Sequence, residues 1–204
     1  MRKTAAETEK TRIALLEAGT LVFARDGYER ATLEAIGREA GLTRGAVYWH
    51  FKNKQDLFAR ILDRENERLS RLVAAALAGD GSSFRRLRRL LDAVIENFYG
   101  RMTFRRFIEL TWYKLPPSQF TPVMKGKSAF VQDFLTLMER LLGESLAAGE
   151  IRPAVDIHLA ALHLSCLING LYRLYHVAPD WARDKAKAAA LFHDYLDSLA
   201  KEKK

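Results

Sequence analysis

The residues of this sequence that are best suited to a specific chemistry lie close together, between Arg44 and Lys54. This stretch contains one arginine, one tyrosine, one tryptophan, one histidine and two lysines. Such side chains can donate hydrogen bonds to base edges, stack on bases or sugars, and pair with phosphates. Gly45 stands among them, although a glycine inside a helix costs about 1 kcal/mol relative to alanine. A bare backbone is useful there if a large partner must come close, so the stretch predicts nucleic-acid binding.

Two short predicted helices with a tight turn between them position these side chains. Thr32 can cap the first helix, because a threonine oxygen accepts a hydrogen bond from the free N–H groups of the opening turn. Leu33, Ile36 and Ala40 recur at helical spacing and form one apolar stripe. Gly41 then ends the helix, since glycine adopts the left-handed conformation that a helix exit often requires.

The second helix is expected from Arg44 to about His50, with Thr43 as its cap. Ala46 and Val47 can pack on the first helix, which leaves the polar and aromatic side chains to project outward. Helix, glycine-bearing turn and helix form the helix-turn-helix pattern, whose second helix enters the DNA major groove. The alternative is an ordinary helical hairpin, but its outer face would not need this set of side chains. The predicted DNA-binding residues are Thr32, Thr43, Arg44, Gly45, Tyr48, Trp49, His50 and Lys54.

A family resemblance is carried by the sequence LTRGAVYWHFKNKQDLF, by the helix predicted over Ile13 to Ala24 and by the Gly27–Tyr28 pair. These residues resemble the DNA-binding domain of the TetR family of bacterial transcriptional repressors. They are most similar to the AcrR-like branch, which controls multidrug efflux pumps. Gly37 departs from the pattern, because the family usually has alanine there, and it could loosen the first helix of the pair.

Length, charge and cysteine content limit the classes of protein that remain. The 204 residues suffice for one large domain or two small ones, and the net charge of +8 favours an anionic partner. The single cysteine, Cys166, excludes an internal disulfide framework and suits a reducing compartment. The N-terminus lacks the apolar core of a secretion signal, and no apolar run is long enough to cross a bilayer. We therefore expect a cytoplasmic protein without a membrane partner.

Hydrophobic periodicity predicts an all-α fold of about nine helices. The helix-turn-helix DNA-binding domain is expected over 1–54, and the resemblance implies that the helical domain over 55–204 serves ligand binding and dimerisation. Prolines predict a loop over 115–126, with the following helix beginning near 127. Four arginines of the helix over 84–99 are interpreted as a solvated face, with a second nucleic-acid patch as the alternative: Arg85, Arg86, Arg88 and Arg89.

The helix over 156–177 is apolar on more than one side, which predicts burial on several faces. We expect this helix and the last helix to pack against the same two helices of a second chain and so form a homodimer. Two recognition helices could then read successive major grooves of a palindromic double-stranded operator. The alternative is that these residues only fill the core of one chain. The predicted interface residues are Leu159, Leu162, Cys166, Gly170, Leu191, Tyr195 and Leu199.

Most aromatic residues fall in the second predicted domain, where they could line a cavity for a hydrophobic small molecule. Plain core packing is the alternative for each of them. The resemblance implies that this domain binds hydrophobic inducers. The predicted ligand-binding residues are Asn97, Phe98, Trp112, Tyr113, Phe134, Met138, His163, Asn169, Tyr172 and His176.

The sequence and the resemblance together predict a ligand-responsive repressor of a multidrug efflux operon, released from its operator by hydrophobic small molecules. In this hypothesis Arg44 reads a guanine edge, and Trp49 contacts a base or sugar. The alternative is a regulator or activator controlled by a protein partner. An enzyme is not expected, because His158, His163 and Cys166 share no three-ligand face and no catalytic group, metal site or cofactor is indicated.

Overall fold

The computed structural model describes residues 4–115, 117–177 and 180–201, except for the side chains of 117–130 and 181. Within these ranges the chain forms nine α-helices, as predicted, and a single isolated β-bridge. A π-helical turn, Leu110–Lys114, extends α6, and a short 3-10 turn, Asp180–Arg183, precedes α9. The helices are α1 Ala5–Asp26, α2 Leu33–Glu39, α3 Arg44–His50, α4 Lys54–Ala78, α5 Ser83–Gly100, α6 Met102–Glu109, α7 Pro117–Ala147, α8 Ile157–Val177 and α9 Lys185–Leu199.

The chain divides into two compact units. The head unit comprises Met1–Ser70 and Arg101–Thr121, and the body unit comprises Arg71–Gly100 and Pro122–Lys204. The head unit therefore contains the first part of α4 and all of α6 in addition to the three N-terminal helices. The functional division expected at residue 54 stays a prediction.

Local capping explains where the first helices begin and end. The Thr4 hydroxyl accepts from the Glu7 N–H at 3.2 Å, and the Glu7 carboxylate accepts from the Thr4 N–H at 2.8 Å, which completes a capping box. Thr32 and Thr43 accept hydrogen bonds from the opening turns of α2 and α3 at 3.1 and 3.3 Å. Gly41 has a φ of +66°, so a left-handed residue ends α2 as predicted.

Helix α6 and its π-helical turn complete the head unit by packing on α1. The Lys114 ammonium donates to the Ala24 carbonyl near the end of α1 and pairs with Glu109 at 2.6 Å. A cation at the C-terminus of a helix is stabilised by carbonyl groups that lack intrahelical donors. The α6 segment is thus tied to the helix that supports the predicted DNA-binding pair.

The body unit encloses a core of leucine and aromatic side chains from α5, α7, α8 and α9. Arg89 of α5 lies beside this core and donates to the carbonyls of Gly79 at 2.7 Å, Asp80 at 2.8 Å and Ala76 at 3.3 Å. The guanidinium therefore caps the end of α4. Of the four arginines with two possible interpretations, Arg89 has a structural role.

The loop predicted over 115–126 is wrong for most of its length, because α7 begins at Pro117. Proline is tolerated at the first helical position, where its missing N–H would have no intrahelical partner. The proline-rich composition therefore marks the start of a helix here. No helix of the described residues is long and apolar enough to cross a membrane.

Candidate nucleic-acid interface

Close packing between α2 and α3 sets which face of α3 points outward. Ile36 and Val47 are both fully buried, and burial of such side chains contributes about 1.5–3 kcal/mol each. Gly37 lies directly against Val47, since a Cβ built on Gly37 would stand 2.8 Å from Val47 Cγ2. The glycine thus lets the two helices approach closely. The expectation that it loosens α2 is not what the packing shows.

The outward face of α3 carries the side chains predicted to meet DNA. Trp49 is 70% exposed and Tyr48 45% exposed, and the Arg44 side chain is also exposed. Gly45 lies on this face, and a Cβ built there would meet nothing within 4 Å. Neither intrachain packing nor a positive φ requires a glycine at this position. Its use is consistent with a partner that must approach the backbone.

Glu34 of α2 holds two side chains of that face and was not singled out by the sequence. The Tyr48 hydroxyl donates to Glu34 Oε1 at 3.1 Å, and Arg44 Nε lies 3.2 Å from the same oxygen. The Arg44 guanidinium also lies over the Tyr48 ring, 5.3 Å from its centroid. A backbone hydrogen bond, the Tyr48 hydroxyl and the nearby arginines hold the pKa of the Glu34 carboxyl below its ordinary value.

Lys54 is engaged inside the head unit rather than extended into solvent. Its ammonium donates to the carbonyls of Tyr28 at 2.8 Å and Glu29 at 2.9 Å and lies 4.7 Å from the centroid of the Tyr28 ring. These bonds tie the first residue of α4 to the loop after α1. By contrast, Lys52 is exposed, and no bond from its ammonium is found among the described residues. Their positions in the sequence, two residues apart, do not show which of these lysines is bonded within the protein and which is exposed.

The comparisons with known proteins agree with this geometry. Residues 15–61 match the family described as bacterial regulatory proteins, tetR family. The HTH-type transcriptional repressor BepR of Brucella suis is 47% identical over 175 residues, covering 83% of this chain and 82% of BepR. The HTH-type transcriptional regulator TtgR of Pseudomonas putida is 29% identical over 182 residues, covering 88% and 87%. This chain belongs to the TetR family.

Solved structures agree with that membership. The SmeT–triclosan complex superposes with a TM-score of 0.74 at 28% identity, over 95% of this chain and 93% of SmeT. NalD of Pseudomonas aeruginosa, named as the secondary repressor of the MexAB-OprM multidrug efflux pump, gives 0.69 at 29% identity, over 97% and 100%. As a TetR-family protein, the chain is a DNA-binding transcriptional regulator and not an enzyme.

The body unit of this TetR-family protein brings together part of the predicted ligand site. Phe98 is buried and stacks on Tyr172 with 4.6 Å between ring centroids, and Tyr175 meets Phe98 edge-on at 5.0 Å. Met138 is buried in the core of the body unit, and Phe134 is partly buried against that core. Burial raises the pKa of the Tyr172 hydroxyl. Asn97 and His176 are half-buried on α5 and α8, the helices that carry Phe98 and Tyr172.

The other four predicted ligand-binding residues are divided between the two units. Trp112 and Tyr113 belong to the head unit, where Tyr113 lines a cavity of about 410 Å³ beside the loop after α1. His163 and Asn169 are exposed on α8. His163 Nδ1 lies 3.0 Å from the Tyr195 hydroxyl of α9, and Asn169 donates to a carbonyl of its own helix. His163 and Asn169 are therefore not part of the buried aromatic cluster around Phe98.

The residues predicted for the dimer interface are mostly at the surface. Leu159, Leu162 and Leu191 are 49%, 37% and 40% exposed, and Cys166 is exposed beside them on α8. A Cβ built on Gly170 would meet nothing within 4 Å, so packing within the chain does not require that glycine. Leu199 must be corrected, because it is only 5% exposed and belongs to the body core. The segment after α7 lies against the last turn of α9, where the Arg152 N–H donates to the Leu199 carbonyl at 3.0 Å.

Substitution of the two glycines separates folding from DNA contact. We expect Gly45→Ala to stabilise the protein by about 0.5–1 kcal/mol, because it lowers the entropy of the unfolded chain and its methyl group meets no neighbouring atom. The same methyl group should weaken binding to duplex DNA by about tenfold. Thermal unfolding and fluorescence anisotropy measure the two effects. Gly37→Ala is the contrast, since its methyl group should destabilise the α2–α3 contact. Wild-type DNA affinity in Gly45→Ala would refute close approach at this residue.

The two lysines at the start of α4 should behave differently when each is replaced by alanine. Lys54→Ala should lower the free energy of unfolding by about 1–3 kcal/mol, because charge-assisted hydrogen bonds to two carbonyls are lost. Lys52→Ala should leave stability within about 0.5 kcal/mol and reduce the salt dependence of DNA binding by about one phosphate contact per head. Urea unfolding and salt titrations measure both. An unchanged stability in Lys54→Ala, with a shallower salt slope, would restore the phosphate role predicted from the sequence.

Proposed function

We propose that this TetR-family regulator represses a multidrug efflux operon in the cytoplasm and leaves its operator when a hydrophobic small molecule binds the body unit. The observation that supports DNA binding is the outward face of α3, where Arg44, Tyr48 and Trp49 surround the open backbone at Gly45. The efflux assignment is supported by the named role of NalD, and the ligand class by the complex of SmeT with triclosan.

In the proposed complex α3 lies in the major groove. Arg44 has its terminal nitrogens free of hydrogen bonds among the described residues, and a guanidinium edge suits the O6 and N7 acceptors of guanine. Trp49 contacts a base or sugar. Thr32 and Thr43 are exposed at the starts of α2 and α3, where a hydroxyl can still donate to phosphate while it caps the helix.

The ligand in this proposal occupies the aromatic region of the body unit around Phe98 and Tyr172. Aromatic and thioether side chains form adaptable apolar walls, and a few polar groups orient the bound molecule. Asn97 and His176 are the polar groups on the same two helices. His163 and Asn169 are exposed on α8, so we assign them to the proposed dimer surface instead.

Helix α4 provides the proposed connection between ligand and DNA. It begins in the head unit at Lys54, and the division between the units falls within it, after Ser70. A ligand that favours a different placement of α4 would alter the spacing of two heads on DNA. The two binding events are then reciprocally linked, because each changes the affinity for the other by the same factor.

Selection from a random duplex library tests the proposed function directly. We expect the wild-type protein to enrich a palindromic sequence and to release that duplex when triclosan or other hydrophobic drugs and dyes are added. Arg44→Ala should lose affinity for the selected duplex by at least tenfold, since a good base contact is worth about 1–3 kcal/mol. If no compound of the panel released the duplex or raised the melting temperature of the protein, control by a protein partner would be favoured instead.

We also propose that the protein acts as a homodimer through α8 and α9. Leu159, Leu162 and Leu191 expose apolar surface to solvent on these two helices, and burial against a second copy would remove it from water. The open surface at Gly170 would let two backbones approach closely. Two heads held in one particle suit a palindromic operator, because half-sites lie about 34–36 Å apart on the duplex.

A charge placed in the proposed interface should separate the subunits. Leu162→Glu is expected to sediment as a single chain and to bind the selected duplex at least tenfold more weakly, because a charge cannot be buried unpaired. Met102→Glu is the control, since it introduces the same charge at an exposed apolar residue of the head unit. Cys166 is the only cysteine, so a short bifunctional maleimide reports on the interface directly. A Leu162→Glu protein that remains dimeric would refute this surface.

A further inference from the structure

The Glu34 carboxylate lies among side chains proposed to contact DNA, where a negative charge opposes binding to phosphates. Its side chain is 36% exposed and one of its oxygens is shared by Arg44 Nε and the Tyr48 hydroxyl. Both partners come from α3, whereas Glu34 comes from α2. The carboxylate therefore connects the supporting helix to two residues of the recognition helix across the turn.

The geometry divides the Arg44 guanidinium into two parts. Its Nε faces Glu34 at 3.2 Å, and the guanidinium is kept over the Tyr48 ring. The NH1–NH2 edge remains available, and that edge matches guanine in the major groove. An unrestrained arginine samples many more rotamers. Because Glu34 already restricts Arg44, the arginine loses less side-chain entropy when it binds a base.

The same contact has an electrostatic consequence. A carboxylate 3.2 Å from the guanidinium partly neutralises its charge for any phosphate that approaches from another direction. Binding to DNA of arbitrary sequence depends almost entirely on phosphate contacts. Binding to the cognate site also uses base contacts, which the orientation of Arg44 favours. Glu34 thus weakens one kind of binding more than the other.

We propose that Glu34 is a specificity-determining residue that orients Arg44 toward a base edge and prevents it from serving as a general phosphate contact. This proposal rests on the proposed function, because it assigns a role to Glu34 within DNA recognition. Glu34 is a positioning residue, since it acts through Arg44 and Tyr48 and needs no contact with DNA of its own.

Glu34→Gln tests the proposal, because glutamine keeps the size of the side chain and can still accept from Tyr48. Each freed Arg44 should add one phosphate contact, which increases the salt slope by about 0.9 and the affinity for scrambled duplex about eightfold at 0.1 M salt. Affinity for the duplex selected by the wild-type protein should change less than about threefold. The ratio of specific to nonspecific affinity should therefore fall by at least about threefold, and by about eightfold if specific affinity is unchanged.

Glu39→Gln is the matched control, because Glu39 also lies on α2 but pairs with Arg25 of α1 at 2.8 Å. It removes the same charge without releasing Arg44. We expect it to change specific and nonspecific affinities by the same factor, with a ratio within about twofold of wild type. Equal ratios for Glu34→Gln and Glu39→Gln would overturn the proposal, because a general charge effect would then explain both variants.

A double-mutant cycle with Arg44→Ala shows whether the effect passes through the arginine. In the Arg44→Ala background, Glu34→Gln should no longer lower the ratio, and a further fall would overturn the proposal. Thermal unfolding of every variant serves as the check that its head unit is folded. A wild-type protein that selects no sequence would overturn the proposed function and this inference together. Clear selection with no special effect of Glu34 would overturn only the inference.

Discussion

The buried contact between α2 and α3 is the constraint on which the DNA-binding surface depends. Val47 is packed so tightly against Gly37 that a methyl group on the glycine would require Val47 to move. Because a helix that buries one side must expose the other, this contact directs Arg44, Tyr48 and Trp49 to solvent. Protein interiors tolerate such close approaches only when shapes match, so the orientation of the recognition helix follows from core packing.

Several cationic side chains, two of them candidates for DNA binding in the sequence, satisfy backbone carbonyls within the protein. Lys54 bonds to the loop after α1, Lys114 to the end of α1, and Arg89 to the end of α4. Helix ends leave carbonyl groups without intrahelical donors, and cations are well suited to them. The net charge of +8 therefore includes cations that are held by backbone carbonyls, whereas Lys52 is exposed.

The body unit shows how helical periodicity is resolved by packing. Phe98 and Tyr172 come from α5 and α8 and stack, whereas His163 and Asn169 face solvent on α8. Helical spacing showed that α8 had apolar residues on more than one side, but it did not show which side the rest of the chain covers. Leu199 illustrates the same point on α9, where it lies one turn from half-exposed Tyr195 and is nevertheless buried.

The sequence by itself determined the DNA-binding helices and the family, because their caps, turn and apolar stripe are encoded within a few residues of one another. Thr32, Gly41 and Thr43 each act on backbone groups next to them. Only the tertiary structure decided which polar side chains form hydrogen bonds with distant parts of the chain. Lys54 is separated from its carbonyl partners by 25 and 26 residues, and Glu34 from Tyr48 by 14. Such contacts depend on how separate helices pack, which local sequence patterns do not specify.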